Sequence, residues 1–109
     1  DGEVKKSTVK GVLRIAPGST LKNCQVLGPV TVGTGCRISG STLGPYLAVN
    51  DGAEIVDCNL SRTLVLANAH LKGVTLTNSI IGERVQINAQ QKTAAARSLL
   101  VGADAVLEL

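Results

Sequence analysis

Large aromatic and thioether side chains are almost missing from this chain of 109 residues, which has no Phe, Trp or Met and a single Tyr. Compact cores usually take much of their buried area from aromatic rings, so a core of that kind is not expected. Yet 44% of the residues are hydrophobic and only 17% are charged, which excludes a disordered chain. We expect one domain built from narrow, repeating layers of Val, Ile and Leu.

Long apolar runs and clustered charges are also lacking. No run approaches the roughly 18 residues of a membrane span, and the chain starts with Asp-Gly-Glu rather than a signal peptide. The net charge of +3 is dispersed, with only Lys5 and Lys6 adjacent, and stacking aromatics are absent. A nucleic-acid footprint would need clustered positive charge, and a single-strand binder would need stacking aromatics. We therefore expect a cytoplasmic protein with neither a membrane nor a nucleic-acid partner.

What the chain does have is an aliphatic repeat. One aliphatic residue recurs every five or six positions over most of the sequence, and every third member recurs after 16 or 17 residues. The series is Val9, Ile15, Leu21, Val26, Val32, Ile38, Leu43, Val49, Ile55, Leu60, Val65, Leu71, Leu76, Ile81 and Ile87. The position two residues earlier is usually small or β-branched, as at Ser19, Cys24, Ala53 and Ala69.

Residues two apart on a strand point to the same side, so each repeat supplies one large and one small inward side chain. Corners between repeats carry residues that tolerate left-handed backbone angles, namely Gly11, Gly18, Gly28, Gly35, Gly40, Gly52, Gly73, Asn23 and Asn68. Three short strands per 16 or 17 residues predict a triangular prism of stacked parallel strands. A helix over residues 7 to 87 is excluded, and a β-sandwich would need turns every 8 to 12 residues.

This hexapeptide pattern resembles the left-handed parallel β-helix of bacterial acyltransferases and sugar nucleotidyltransferases. Parts of the sequence are similar to the C-terminal domain of long-form glucose-1-phosphate thymidylyltransferases. These parts are residues 26–33, 43–46, 64–66 and 79–87, and the ending at residues 101–109. The resemblance implies an all-β, single-domain left-handed parallel β-helix over residues 7–109, with five to six triangular coils. Residues 1–6 are then a linker remnant, and residues 88–98 form a loop or C-terminal cap.

The resemblance also implies a function. Such enzymes join a sugar 1-phosphate to a nucleoside triphosphate, and they hold a catalytic Mg²⁺ in an N-terminal domain that begins with a Gly-rich phosphate loop. Residues 33–37, Gly-Thr-Gly-Cys-Arg, match that loop only in part and are better explained as a repeat corner leading to Ile38. We therefore predict a non-catalytic module without catalytic, cofactor or metal residues of its own. It would serve oligomerisation or the positioning of the catalytic domain.

Two alternatives remain open at this stage. The first is a hexapeptide-repeat acyltransferase that uses acetyl-coenzyme A at grooves between prisms, and the second is a freestanding structural protein. His70 is the only histidine, and a general base would have to be this residue. Because His70 precedes inward Leu71, we expect it to face outward in a polar ladder with Thr20, Arg37, Glu54 and Gln86.

The three cysteines could suggest a disulfide or a metal site. Cys24, Cys36 and Cys58 all occupy the small inward position. Cys24 and Cys58 lie two coils apart on one edge, beyond the roughly 7 Å Cα separation of a disulfide, and Cys36 lies on another edge. We expect three buried, reduced cysteines, as is usual in the cytoplasm.

One outward column is predicted to be an interface. The residues before Val32, Val49, Val65 and Ile81 are Thr31, Ala48, Leu64 and Ile80, so this face becomes apolar toward the C-terminus. An outward aliphatic patch usually marks a partner surface. We predict an interface at Ala48, Leu64, Leu66 and Ile80, flanked by Tyr46. A second subunit, residues 88 to 100 or the catalytic domain would cover it.

Overall fold

A computed structural model describes residues 3–89 and 98–108. Within these ranges the chain forms 18 short strands and no helix, and the strands stack in about six coils. All strand pairs are parallel, and three sheets form the sides of a β-solenoid. No helix of these ranges is long and apolar enough to cross a membrane.

The sheets are named A, B and C in chain order. Sheet A contains β1 (Glu3–Lys5), β4 (Thr20–Lys22), β7 (Arg37–Ser39), β10 (Glu54–Val56), β13 (His70–Lys72), β16 (Gln86–Asn88) and β18 (Val106–Glu108). Sheet B contains β2 (Thr8–Lys10), β5 (Gln25–Leu27), β8 (Thr42–Leu43), β11 (Asn59–Ser61) and β14 (Thr75–Thr77). Sheet C contains β3 (Leu13–Ile15), β6 (Val30–Val32), β9 (Leu47–Val49), β12 (Thr63–Val65), β15 (Ile80–Ile81) and β17 (Leu100–Val101).

The aliphatic series lines the interior, as predicted. Each of the first five coils, β1 to β15, takes one strand from each sheet. An inward residue therefore stacks on its equivalent one coil away, as Ile38 does on Ile55 and Ile55 on Leu71. These side chains are almost fully buried. The small positions are buried too, among them Cys36 and Ala53. Alternating large and small inward groups fill a narrow prism without aromatic rings.

The N-terminal residues differ from the linker prediction for 1–6. Glu3–Lys5 forms β1, and Val4 pairs with Leu21 at the 17-residue spacing of the repeat. The aliphatic series therefore extends one step earlier than predicted. Val4 and Val9 remain 41% and 40% exposed, because the described part of the chain places no coil over that end of the prism.

The predicted excursion at 88–98 is shorter at its start, since Asn88 still belongs to β16. Residues 90–97 lie outside the described residues, and so does the predicted cap. The predicted return to the sheets is confirmed: β17 pairs with β15 and β18 pairs with β16, with Ile80 opposite Leu100. The last coil is thus offset by 20 residues rather than 16 or 17.

Eight of the nine residues predicted to adopt left-handed backbone angles at the corners have a positive φ, and Gly28 is the exception. Its φ angle is not positive, and glycine is needed there because a Cβ atom would overlap the backbone of Val12 one coil away. Gly44, which the pattern did not single out, has φ +93° and packs closely against the Leu27 carbonyl. Asn23 and Asn68 have φ of 55° and 61°, as their side chains allow.

Candidate interaction face

The outward residues of sheet C form one continuous column. Strand register places them one per coil, in the order Arg14, Thr31, Ala48, Leu64, Ile80 and Leu100. We call this column the sheet C face. Ile80 is 46% exposed and Leu100 is 83% exposed, whereas Ala48 and Leu64 are half-buried. The face is therefore polar at its first coils and aliphatic at its last three.

A shallow groove runs over the middle of this face. Thr31, Ala48, Leu64 and Ile80 form its floor, and the residues that precede strands β6, β9, β12 and β15 contribute to its rim: Pro29, Tyr46, Arg62, Asn78 and Ser79. The floor offers only aliphatic groups and one hydroxyl, so it suits another apolar surface rather than a small polar substrate.

Three of the four predicted interface residues come together in this groove, and the fourth does not. Leu66 lies one residue beyond inward Val65, at the end of β12, and is not among the groove residues. Its backbone N–H donates to the carbonyl of Ile81 at 2.9 Å.

Sequence reasoning missed Leu100, although it is the most exposed aliphatic residue of the column. Leu100 pairs with Ile80 at an offset of 20 residues, so a repeat of 16 or 17 residues does not predict its place in the column. Arg62 was also missed, because a corner residue has no fixed direction in a periodic pattern.

Tyr46 and Arg62 occupy equivalent corners one coil apart. Both have left-handed backbone conformations, with φ of 61° and 48°, and both precede a strand of sheet C. The Tyr46 N–H donates to the Pro29 carbonyl at 3.0 Å, and the Tyr46 carbonyl accepts the Thr63 N–H at 3.2 Å. These bonds hold the corner, and the Tyr46 residue remains 63% exposed. The phenol is thus available to a partner at the rim of the groove.

The corner at residues 33–37 is not a phosphate loop. The Thr34 N–H, which an anion would need, donates to the Asp51 carboxylate at 2.8 Å. A carboxylate in that place repels a phosphate, and Arg37 belongs to β7 on the neighbouring sheet. The prediction that these residues form a repeat corner is confirmed.

The three cysteines are buried and free, as predicted. The Cys36 thiol donates to the Asn50 carbonyl at 3.0 Å. Burial raises the pKa of the Cys24 thiol, and it raises the pKa of Cys58 from 9.0 to about 11, so these sulfurs stay protonated and unreactive at neutral pH.

Metal ligands are not clustered in residues 3–89 and 98–108, where no group of three or more His, Cys, Asp or Glu side chains could hold a metal ion.

His70 lies on sheet A in the predicted outward ladder. Strand pairing aligns Thr20, Arg37, Glu54, His70 and Gln86, which confirms that column. His70 Nδ1 lies 3.5 Å from Glu54 Oε2, and both side chains are about half exposed. The pair lines a shallow groove of mixed character, with Lys72, Gln86 and Asn88 among its polar residues and Val56, Val106 and Leu107 among its aliphatic ones.

The sequence matches no family model. It is 29% identical over 104 residues, 94% of the chain, to a glucose-1-phosphate thymidylyltransferase of Streptomyces griseus, and 28% identical over 111 aligned positions, 100% of the chain, to one of Streptomyces antibioticus. The chain spans 29% and 31% of the lengths of these relatives. This similarity along the whole repeat, together with the parallel β-solenoid, fits a C-terminal hexapeptide-repeat domain of the kind found in glucose-1-phosphate thymidylyltransferases.

Proposed function

We propose that this domain is a non-catalytic assembly module of a sugar-1-phosphate nucleotidyltransferase. The observation that carries the proposal is the sheet C face, an aliphatic column on the outside of a solenoid. The similarity to two thymidylyltransferases supports the parent activity, and the chain covers about three tenths of each. Catalysis, with its Mg²⁺, belongs in this proposal to the remaining part of such an enzyme.

The chemistry of the described residues supports a structural role. The solenoid presents short strands whose inward groups are aliphatic and whose corner amides bond to the neighbouring coil. Its one partial phosphate loop is occupied by the Asp51 carboxylate. A rigid prism with one apolar side suits the assembly of subunits or the positioning of a catalytic domain.

A chimera tests the proposal. The segment of the Streptomyces griseus enzyme that aligns with this chain is replaced by the chain, and pyrophosphate release from glucose 1-phosphate and dTTP is measured. We expect an active chimera of the parent's oligomeric size, whereas the 109-residue chain alone releases no pyrophosphate. An enzyme with the segment deleted should lose stability or change its oligomeric size.

A pair of variants shows whether the sheet C face is responsible. Leu64→Lys in the chimera should change the oligomeric size or lower the Tm, and Thr42→Lys on the outward side of sheet B should do neither. Pyrophosphate release by the isolated chain would overturn the non-catalytic role. Unchanged size and stability after deletion of the segment would overturn the assembly role.

An acyltransferase is the alternative function, and one observation favours it. His70 Nδ1 faces the Glu54 carboxylate at 3.5 Å, and the half-exposed imidazole is accessible as a base. This alternative predicts saturable binding of acetyl-coenzyme A and acetyl transfer to an amino sugar that His70→Ala abolishes. If the chain does not bind acetyl-coenzyme A at millimolar concentration, the acyltransferase alternative is rejected.

We also propose a cytoplasmic location for this module. Its three cysteines are free and buried among aliphatic residues, and none is paired. Unpaired structural thiols are typical of reducing compartments. Alkylation of cell extracts under denaturing conditions should therefore find all three thiols reduced.

A further inference from the structure

The four middle levels of the sheet C face have a gradient of side-chain size along the solenoid. Thr31 and Ala48 lie on the second and third coils, and the larger Leu64 and Ile80 lie on the fourth and fifth. All four form the floor of the groove. A surface with small groups at one end and large groups at the other complements itself when a second copy is turned end over end.

We propose that two copies of this chain pack their sheet C faces antiparallel, about a twofold axis that passes between the levels of Ala48 and Leu64. The axis places Leu64 against Ala48 of the second copy and Ile80 against Thr31 of the second copy. Leu64 and Ile80 then each meet a smaller group, which gives an even contact over the groove. At the ends of the face Leu100 lies at the level of Arg14, whose methylene stem can pack against it. This inference rests on the assembly role proposed above and names the partner.

The same axis pairs the two exposed corner residues. Tyr46 precedes β9 on the third coil and Arg62 precedes β12 on the fourth, so the turn brings Tyr46 of one copy opposite Arg62 of the other. A guanidinium over a phenol ring is a favourable cation–π contact. It would occur twice in the dimer, once on each side of the axis, where both rims of the groove meet.

A parallel arrangement of the solenoids fits less well. It would place Ala48 against Ala48 and Leu64 against Leu64, leaving a gap at one level and crowding at the next. Its twofold axis would run along the solenoid, so the corners that precede β9 and β12 would face the opposite edge of the second copy and the contact between Tyr46 and Arg62 would not form. Trimers around a common axis also keep equal levels together, so they would not bring Leu64 to the level of Ala48.

The size of the face sets the strength of the expected dimer. Six coils spaced at about 4.8 Å and strands of two or three residues with their corners give roughly 500 Å² per copy. The total of roughly 1,000 Å² lies at the lower limit for a specific interface. We therefore expect a reversible dimer whose population changes with concentration between about 1 µM and 1 mM.

Sedimentation equilibrium of the 109-residue chain over this concentration range tests for the dimer. We expect Leu64→Lys to raise the dissociation constant at least tenfold. Leu27→Lys changes an exposed leucine on sheet B, outside the face, and should alter it less than twofold. Urea unfolding of both variants shows whether each still folds. A monomer at 1 mM, or a trimer, would overturn the inference.

The register is tested by two substitutions at Tyr46, whose exposure makes both compatible with folding. In the antiparallel dimer Tyr46→Glu faces Arg62 of the second copy and is attracted, whereas Tyr46→Lys is repelled. We expect the lysine variant to dissociate at least tenfold more readily than the glutamate variant. Equal weakening by both would indicate that position 46 does not face Arg62 of the second copy and would overturn the proposed register.

Cross-linking gives an independent measurement. Copies with Thr31→Cys and copies with Ile80→Cys are mixed, one of them isotopically labelled, and treated with a short bismaleimide. We expect mixed cross-links, and none from Thr31→Cys alone, because the two positions 31 lie three coils apart in the antiparallel dimer. Cross-linking of Thr31→Cys with itself would overturn the proposal. A monomeric chain beside a fully assembled, active chimera would leave the assembly role intact and reject only this partner.

Discussion

Arg84 and Asp104 form a bidentate ion pair between the last two coils. Arg84 Nε lies 2.6 Å from Asp104 Oδ1, and Nη2 lies 3.0 Å from Oδ2. Both residues occupy equivalent corners with left-handed backbone angles, and the Asp104 N–H donates to the Glu83 carbonyl. The pair joins the corner between β17 and β18 to the corner between β15 and β16, so it holds the returning strands in register.

Because of this ion pair, we expect the free energy of unfolding to depend on pH in the acidic range. The hydrogen bond from Arg84 lowers the pKa of Asp104 below its ordinary value of 3.8. A depressed pKa contributes stability above the unfolded value and loses it as pH falls through the folded value. We expect Asp104→Asn to lower the Tm by no more than a few degrees at pH 7 and to have no effect below about pH 2. Thermal unfolding at both pH values measures this, and an equal loss at both would contradict it.

The Cys58 thiol should be inert in the folded chain and should affect stability in alkali. Burial raises its pKa from 9.0 to about 11, so the folded state keeps the proton that the unfolded chain releases above pH 9. Stability attributable to this thiol is complete below pH 9 and declines by up to about 3 kcal/mol as pH rises to 11. Urea unfolding of Cys58→Ala should show a smaller decline than the unsubstituted chain. Alkylation by iodoacetamide at pH 8 should require denaturant, and rapid alkylation without it would contradict the burial.

Ser41 holds a backbone amide of the next coil. Its hydroxyl accepts the Cys58 N–H at 3.1 Å and donates to the Ser39 carbonyl at 2.9 Å. Ser41→Ala leaves a buried N–H without this acceptor, and we expect a loss of about 1–3 kcal/mol in urea unfolding. Ser61→Ala is the matched control, because that half-buried hydroxyl contacts only the Thr77 hydroxyl, at 3.3 Å. Equal losses at both positions would show that the buried amide is not the cause.

Three glycines separate backbone strain from steric overlap. Gly102 has an ordinary φ and open space around it, so Gly102→Ala should change stability by no more than about 1 kcal/mol. Gly35 has φ +70° and open space, and Gly35→Ala should cost about 1–2 kcal/mol from the left-handed conformation alone. Gly44 has φ +93° and would place a Cβ atom against the Leu27 carbonyl, so Gly44→Ala should cost about 3 kcal/mol or more. Equilibrium unfolding should rank them in this order, and a reversed rank of Gly35 and Gly44 would contradict the packing explanation.

Much of the fold was predictable because a solenoid repeats its local rules. Each strand meets the equivalent strand one coil away, so spacing alone identifies neighbours such as Ile55 and Leu71. The same reasoning placed Ala48, Leu64 and Ile80 in one outward column. It failed where the period changes. The 20-residue offset concealed Leu100, and the corner residue Arg62 has a direction that no periodicity specifies.

The aliphatic repeat by itself determined the parallel strands, the narrow interior without rings and the buried state of the thiols, because inward and outward positions alternate on every strand. Only the tertiary structure decided that Arg62 shares the rim with the predicted Tyr46 and that Leu66 lies outside the groove, since both depend on backbone direction at the corners. Tertiary contact also decided that the Thr34 amide bonds to Asp51 from the next coil. Such contacts join residues whose distance depends on the whole stack of coils, so local sequence does not determine them.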